Sequence, residues 1–270
     1  MNKMIILLGA LLCLNSVWAQ EISAGAGVRA EHRTETDSTT QHAVYGEVQM
    51  NFRYADEIEK EGFNILLRTN SRAALGLGTN GSQVARYGDV QAYFLSGASL
   101  VKKDQFRIFF GLDPQVDIHG ASSTAPYQSR FRPIAAGFVG AGYYGKKMDL
   151  LILPEAGWNL NSWMPVVGGR ASVDTESFFT DIQTQYEFAK NYNSRNSDIF
   201  MVQLNTGVKL VCASGKRQSS TQKVKGLCVQ AYGEVEHWNY NRVRPTCNVC
   251  QGDLINSKET TYGVGIRVRF

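Results

Sequence analysis

The sequence predicts an all-β fold, a single up-and-down antiparallel barrel of about twelve strands, and three observations carry that prediction. Segment after segment alternates apolar residues with polar or small ones at a period of two, as a strand with two unlike faces does. Beyond residue 19, no apolar run approaches the roughly twenty residues that a membrane-spanning helix needs. The composition, with Gly 26, Tyr 12 and Phe 13 against Pro 6, suits strands with aromatic belts. Because the alternating faces are apolar on one side and small or charged on the other, the expected barrel turns its apolar face to lipid and its polar face to a lumen.

Met1 to Ala19 carries one early cation, Lys3, then an apolar run from Met4 to Leu14 and the small or branched residues around Val17-Trp18-Ala19. This reads as a secretory signal peptide over 1–19, cleaved before Gln20, and Cys13 leaves with it. The first strand then begins within a few residues, so 20–270 is expected to be the barrel, with no separate domain.

Ile22 to Glu31 sets Ile22, Ala24, Ala26, Val28 and Ala30 against Arg29 and Glu31. Ala43 to Tyr54 sets Val44, Val48, Met50, Phe52 and Tyr54 outward, with Tyr45, Glu47, Gln49, Asn51 and Arg53 inward. Phe63 to Ala73 opposes Phe63, Ile65 and Leu67 to Asn64, Arg68, Asn70 and Arg72. Asp89 to Leu100 opposes Val90, Ala92, Phe94 and Ala98 to Asp89, Gln91, Tyr93 and Ser99. Phe106 to Leu112 shows Phe106, Ile108, Phe110 and Leu112 around Arg107. Ile134 to Tyr144 is read with Ile134, Ala136, Phe138 and Tyr144 outward, and Gly137, Ala141 and Tyr143 behind.

Asp149 to Gly157 alternates poorly, since Leu150 to Leu153 is apolar on both faces; Glu155 is read inward. Pro165 to Asp174 puts Val167, Ala171 and Val173 out and Arg170 and Ser172 in. Phe178 to Phe188 opposes Phe178, Ile182, Tyr186 and Phe188 to Asp181, Gln183, Gln185 and Glu187. Ile199 to Val211 opposes Phe200, Val202, Leu204, Val208 and Leu210 to Gln203, Asn205 and Lys209. Leu227 to His237 opposes Leu227, Val229, Ala231 and Val235 to Gln230, Tyr232, Glu234 and Glu236.

The last strand, Lys258 to Phe270, has Tyr262, Val264, Ile266, Val268 and Phe270 on one face and Thr261, Gly263, Gly265, Arg267 and Arg269 on the other. Such a strand closed by a terminal Phe resembles the insertion signal of bacterial outer-membrane β-barrel proteins, with Tyr262 and Phe270 as its aromatic positions. The resemblance implies the outer membrane of a Gram-negative bacterium as the address, and outer-membrane lipid and the barrel-assembly machinery as partners.

Connection lengths give an internal check. With both termini periplasmic, the turns at 55–62, 102–105, 145–148 and 175–177 are short, while 34–42, 74–88, 113–133 and 238–257 form outer loops. The long segment Cys212 to Gly226 breaks this rule, which keeps a count of ten strands open beside twelve.

A net charge of +4, spread evenly, excludes a nucleic-acid-binding surface. Four cysteines remain after cleavage, and in an oxidising envelope the pairing Cys212 with Cys228 and Cys247 with Cys250 is expected. By their phase Cys212 and Cys228 fall on opposite faces, so irregular backbone is needed for them to meet. A zinc site on Cys247-Asn248-Val249-Cys250 is the alternative, and a lone pair of this spacing does not supply four ligands, so no metal and no cofactor is expected. His32, His42, His119 and His237 are the candidate rim bases for lipid chemistry; His237 lies beside Glu236 and Asn239, but no serine shares its strand and no GxSxG or HExxH pattern occurs.

The expected function follows from the lumen. Arg53, Arg68, Arg72, Arg107 and Arg267 come from the first five strands and the last, whereas Glu155, Asp181, Glu187, Glu234 and Glu236 come from the second half of the chain. As pore-lining residues they would form a basic wall facing an acidic one, with Glu47, Asp89, Arg170 and Lys209 as exceptions. This points to a small channel for polar or anionic small solutes. Two alternatives stay open: a closed barrel in which these charges pair and fill the interior, with a structural or surface-binding role through loops such as Asp113 to Arg132 and Asn239 to Ser257, and a lipid-modifying rim enzyme.

Overall fold

The computed structural model describes residues 21–35, 40–60, 63–81, 83–103, 105–122, 128–145, 147–161, 163–188, 199–212, 227–243 and 254–269. They form twelve strands: β1 (Glu21–Glu35), β2 (Thr40–Lys60), β3 (Phe63–Asn80), β4 (Gln83–Lys103), β5 (Phe106–Ser122), β6 (Gln128–Tyr144), β7 (Met148–Asn159), β8 (Met164–Thr175), β9 (Phe178–Glu187), β10 (Ile199–Cys212), β11 (Cys228–Val243) and β12 (Leu254–Arg269). Every strand pairs antiparallel with its sequence neighbours, and β1 pairs with β12 to close the barrel. Closure leaves no edge, so ladder hydrogen bonds join every neighbouring pair of strands, as a bilayer demands. The seam register sets Val28 opposite Val264 and Arg29 opposite Gly263, which carries one facing pattern across the closing pair.

The outer face is apolar where the alternation places it. Val28, Val48, Leu112, Ile152, Val208, Tyr262, Val264 and Ile266 are all exposed. Such a band would aggregate in water and is solvated by lipid.

Several strands are longer than their sequence pattern suggests. Residues 74–88, read as an outer loop, instead continue β3 and β4 to a tight turn at Gly81, whose φ of 60° suits glycine. The glycines gave the loop-like appearance. Leu75 and Leu77 face outward while Gly76 and Gly78 line the lumen, and a side chain at Gly76 would collide with the Tyr87 ring and press on the Cβ of Tyr45. Residues 113–133 likewise lie almost wholly in β5 and β6, and 238–257 largely in β11 and β12, so the two proposed surface loops shrink to 123–127 and 244–253, both outside the described residues. On the other end β2 runs on through Lys60, leaving a connection of two residues.

The facing of β6 is the reverse of the expectation. Ile134, Ala136 and Phe138 are buried inside, and Val139 and Tyr143 are exposed. Both rows of β6 are apolar enough that alternation carried no sign; its register with β5, Gln115 opposite Ile134 and Asp113 opposite Ala136, decides the matter. Leu151 and Leu153 of β7 also turn inward, and together with Leu95, Phe109 and Phe138 they form an apolar cluster inside the barrel. That cluster is why the Leu150 to Leu153 run showed no alternation.

Cys212 and Cys228 form a disulfide across the ends of β10 and β11. They meet because β10 carries one extra residue between Lys209 and Val211, an irregularity that shifts the phase and sets Cys212 directly opposite Cys228. The count of twelve therefore stands despite the long β10–β11 connection, and ten is excluded. Cys247, Cys250, Phe270 and residues 1–20, with the expected leader, lie outside the described residues.

Candidate functional site: a side-chain-filled lumen

Inward positions on β1, β2, β3 and β11 bring a first charge cluster together. Arg29 on β1 donates from Nε to Glu47 on β2 at 2.7 Å, and its Nη atoms reach Glu234 at 3.5 Å and Glu236 at 3.8 Å on β11. Arg72 on β3 donates to Glu234 and to Gln49 at 3.3 Å, and lies 3.6 Å from Asp89 and 3.8 Å from Glu47. The Tyr87 and Tyr232 hydroxyls both donate to Glu47, and the Arg29 guanidinium stacks 5.0 Å from the Tyr87 ring centre. All four charged anchors, Arg29, Arg72, Glu47 and Glu234, are buried. Nearer the outer end, Arg33 bridges Glu31 at 2.9 Å and Glu259 at 3.1 Å.

A second cluster occupies the far side. Arg170 on β8 pairs with Asp113 at 2.7 Å and Glu155 at 3.2 Å, and stacks over Tyr93. Gln115 donates to both carboxylates at 2.8 Å and accepts from Gln185. Arg132 on β6 pairs with Glu187 at 3.1 Å and Asp117 at 3.7 Å and lies 4.8 Å from the Trp238 ring centre; Asn159 also donates to Glu187 at 3.0 Å.

Between the clusters, Gln203 on β10 donates to Gln91 on β4 at 3.3 Å and to Glu234 at 3.0 Å. Strands β4 and β10 stand half-way round the barrel from each other, so this amide contact spans the lumen. Beside this contact lies a cavity of about 30 Å³ lined by Gln91, Gln115, Arg132, Arg170, Gln185 and Gln203 among others. It holds on the order of one or two waters.

The expected pore-lining residues are placed as follows. Arg72, Arg107, Glu155, Glu187, Glu234, Glu236 and Arg267 are buried inside, and Asp181 is half-buried. The side chains of Arg53 and Arg68 lie outside the described residues. Among the described residues two opposed walls do not appear: the half expected to be basic also carries buried Glu47, Asp89 and Asp113, and the half expected to be acidic carries Arg132 and Arg170. Instead the central lumen is rich in carboxylates, while Arg107, Arg267, Arg269 and Lys209 gather toward the end where the termini lie. There Lys209 pairs with Asp174, and Arg267 donates to Gln230 at 2.8 Å under the Phe179 ring.

Sequence reasoning missed Asp113, Gln115, Asp117 and Arg132. In a lumen, polar side chains have the composition of a loop, and Pro114 deepened that impression; the inward parity of Asp113, Gln115 and Asp117 was the available signal. The proposed rim group does not assemble. His237 faces outward and bonds Thr260 at 2.9 Å, whereas Glu236 turns inward to the Trp238 indole. The His119 side chain lies outside the described residues.

A closed antiparallel barrel of twelve strands, apolar on its outer face and charged within, is a transmembrane β-barrel of the bacterial outer-membrane class, and the outer membrane is its location. No family model and no curated protein matches the chain. Among solved structures it is similar to the KdgM porin (11% identity, covering 89% of this chain and 97% of that one, TM-score 0.35). It is also similar to a FadL homologue from Pseudomonas aeruginosa (7%, 93% and 90%, TM-score 0.36) and to the outer membrane phospholipase A from Escherichia coli (9%, 90% and 89%, TM-score 0.38). Likeness at this level carries nothing about substrate; the class rests on the barrel itself.

Proposed function

We propose that the protein, exported by a leader over residues 1–19 and inserted by the barrel-assembly machinery through its last strand, is a narrow outer-membrane channel for small polar solutes. The observation that carries this reading is the Gln91–Gln203 contact: neutral amides meet across the lumen, with a water-sized cavity beside them. Amides exchange one partner for water or a polar solute at little net free energy, because each protein bond lost is replaced by another. The excess of carboxylates around them, Glu47, Asp89, Glu234 and Glu236 against Arg29 and Arg72, favours neutral or cationic solutes over the anions that the arginine inventory alone suggests.

Planar-bilayer recording of the refolded protein tests the reading. Wild type should show small discrete conductance steps, and Gln91→Ala combined with Gln203→Ala should enlarge them. Silence in both would favour a second reading, a closed structural barrel. That alternative draws its support from the apolar cluster of Leu95, Phe109, Phe138, Leu151 and Leu153 inside the lumen, which no water-filled pore requires.

A further inference from the structure

On the outside of the barrel, the apolar band ends in an unusual row. Val44, Ala30, Tyr262 and Val235 lie side by side on β2, β1, β12 and β11. Two residues further toward the outer end, the same strands present His42, His32, Thr260 and His237, again in register. Within this row the His32 and His42 rings converge: their Nδ1 atoms are 3.1 Å apart and the ring centres 4.6 Å. On the far side of the His32 ring, Nε2 lies 3.2 Å from the Thr34 hydroxyl.

We infer that His32 and His42 form a binding site for a divalent transition-metal ion, of the zinc, nickel or copper type, at the outer boundary of the membrane band. Imidazole nitrogens bind such ions at about 2.0 to 2.1 Å, so two nitrogens sharing one ion stand roughly 3.0 to 3.4 Å apart, which brackets the observed separation. When Nε2–H of His32 donates to Thr34, its proton is held on that side and Nδ1 presents a lone pair, the arrangement by which an outer partner sets a ligand's tautomer. His42 is exposed and His32 half-buried, so the point between them is open to water. No group of three or more His, Cys, Asp or Glu side chains converges on a metal position among the described residues, so the remaining coordination falls to water or to an external donor. The neighbouring carboxylates Glu31 and Glu259 are committed to Arg33 inside the barrel, and the cation on this face, Lys258, is exposed one row beyond. His237 bonds Thr260 and stands two strands from His32, out of reach of the same ion.

The inference is independent of whether the lumen conducts. Calorimetric titration of Ni(II), and separately Zn(II), into the refolded, untagged, oxidised protein in detergent micelles tests it, with heat-modifiable gel migration confirming that each variant is folded. Wild type should bind one equivalent. His32→Ala and His42→Ala should each weaken binding by at least about tenfold, Thr34→Val by roughly tenfold through the lost orientation of His32, and His237→Ala should leave it unchanged. A Cys247→Ser/Cys250→Ser variant should also retain the equivalent. Absence of binding in wild type, binding that survives both single histidine changes, or loss in His237→Ala equal to that in His42→Ala would each overturn the site and leave the pair as a simple cross-strand hydrogen bond.

Discussion

Arg72 engages Gln49, Asp89 and Glu234 at once and lies within 4 Å of Glu47, all of them buried, and that crowding defines its energetics. A buried pair is a poor source of net stability, because desolvating both ions offsets their attraction, yet breaking one side strands the other. Arg72→Met should therefore destabilise the barrel by about 3 to 5 kcal/mol, since it takes from Glu234 and Asp89 a cation that they face inside the lumen. Adding Glu234→Met should restore a good part of that loss. Equilibrium unfolding from lipid vesicles, run as a double-mutant cycle, measures it; equal and additive losses would mean that the pair is not coupled. The parity of Arg29, Glu47, Arg72 and Glu234 was legible in the sequence, because each sits on the minority face of an otherwise apolar alternation. Their pairing was not: Arg72 and Glu234 are 162 residues apart, and only the closed order of strands brings them together.

Among the elements, legibility tracked the contrast between the two faces. Strands β2, β9, β11 and β12 set apolar against polar residues and were placed with the correct facing. Strands β6 and β7 oppose apolar to apolar, because their inner faces pack the cluster around Phe138 and Leu153, and period-two reading cannot orient such a strand. The ends of β3 and β4 were hidden by Gly76 and Gly78, small because Tyr45 and Tyr87 fill the space beside them. The disulfide likewise depended on an extra residue in β10 that alternation alone does not locate. For β12, whose contrast is complete, the facing makes a sharp prediction. Val264 is 63% exposed on the outer face at mid-strand, so Val264→Arg should cost about 2 to 4 kcal/mol and lower the folded yield in vesicles. Gel-shift yield equal to wild type would show that this face does not meet hydrocarbon.

For the whole molecule, charge is sorted along the barrel axis rather than between two walls. Carboxylates dominate the middle, where Glu47, Asp89, Glu234 and Glu236 surround two arginines; Arg107, Arg267 and Arg269 crowd the end nearest the termini. In a narrow lumen with low-dielectric walls, the field of the constriction governs which ion enters and the mouth modulates its approach. On the proposed reading, a barrel that conducts should accordingly pass cations in preference to anions. Glu234→Gln removes a central negative charge and should reduce that preference, whereas Arg107→Gln removes a positive charge from the mouth and should raise it. Reversal potentials under a salt gradient read both changes, and the differences should shrink at high ionic strength for the mouth residue more than for the buried one. Conductance whose ion preference is indifferent to both substitutions would place the permeation path away from these side chains, and with it would fall the assignment of the central lumen as the constriction.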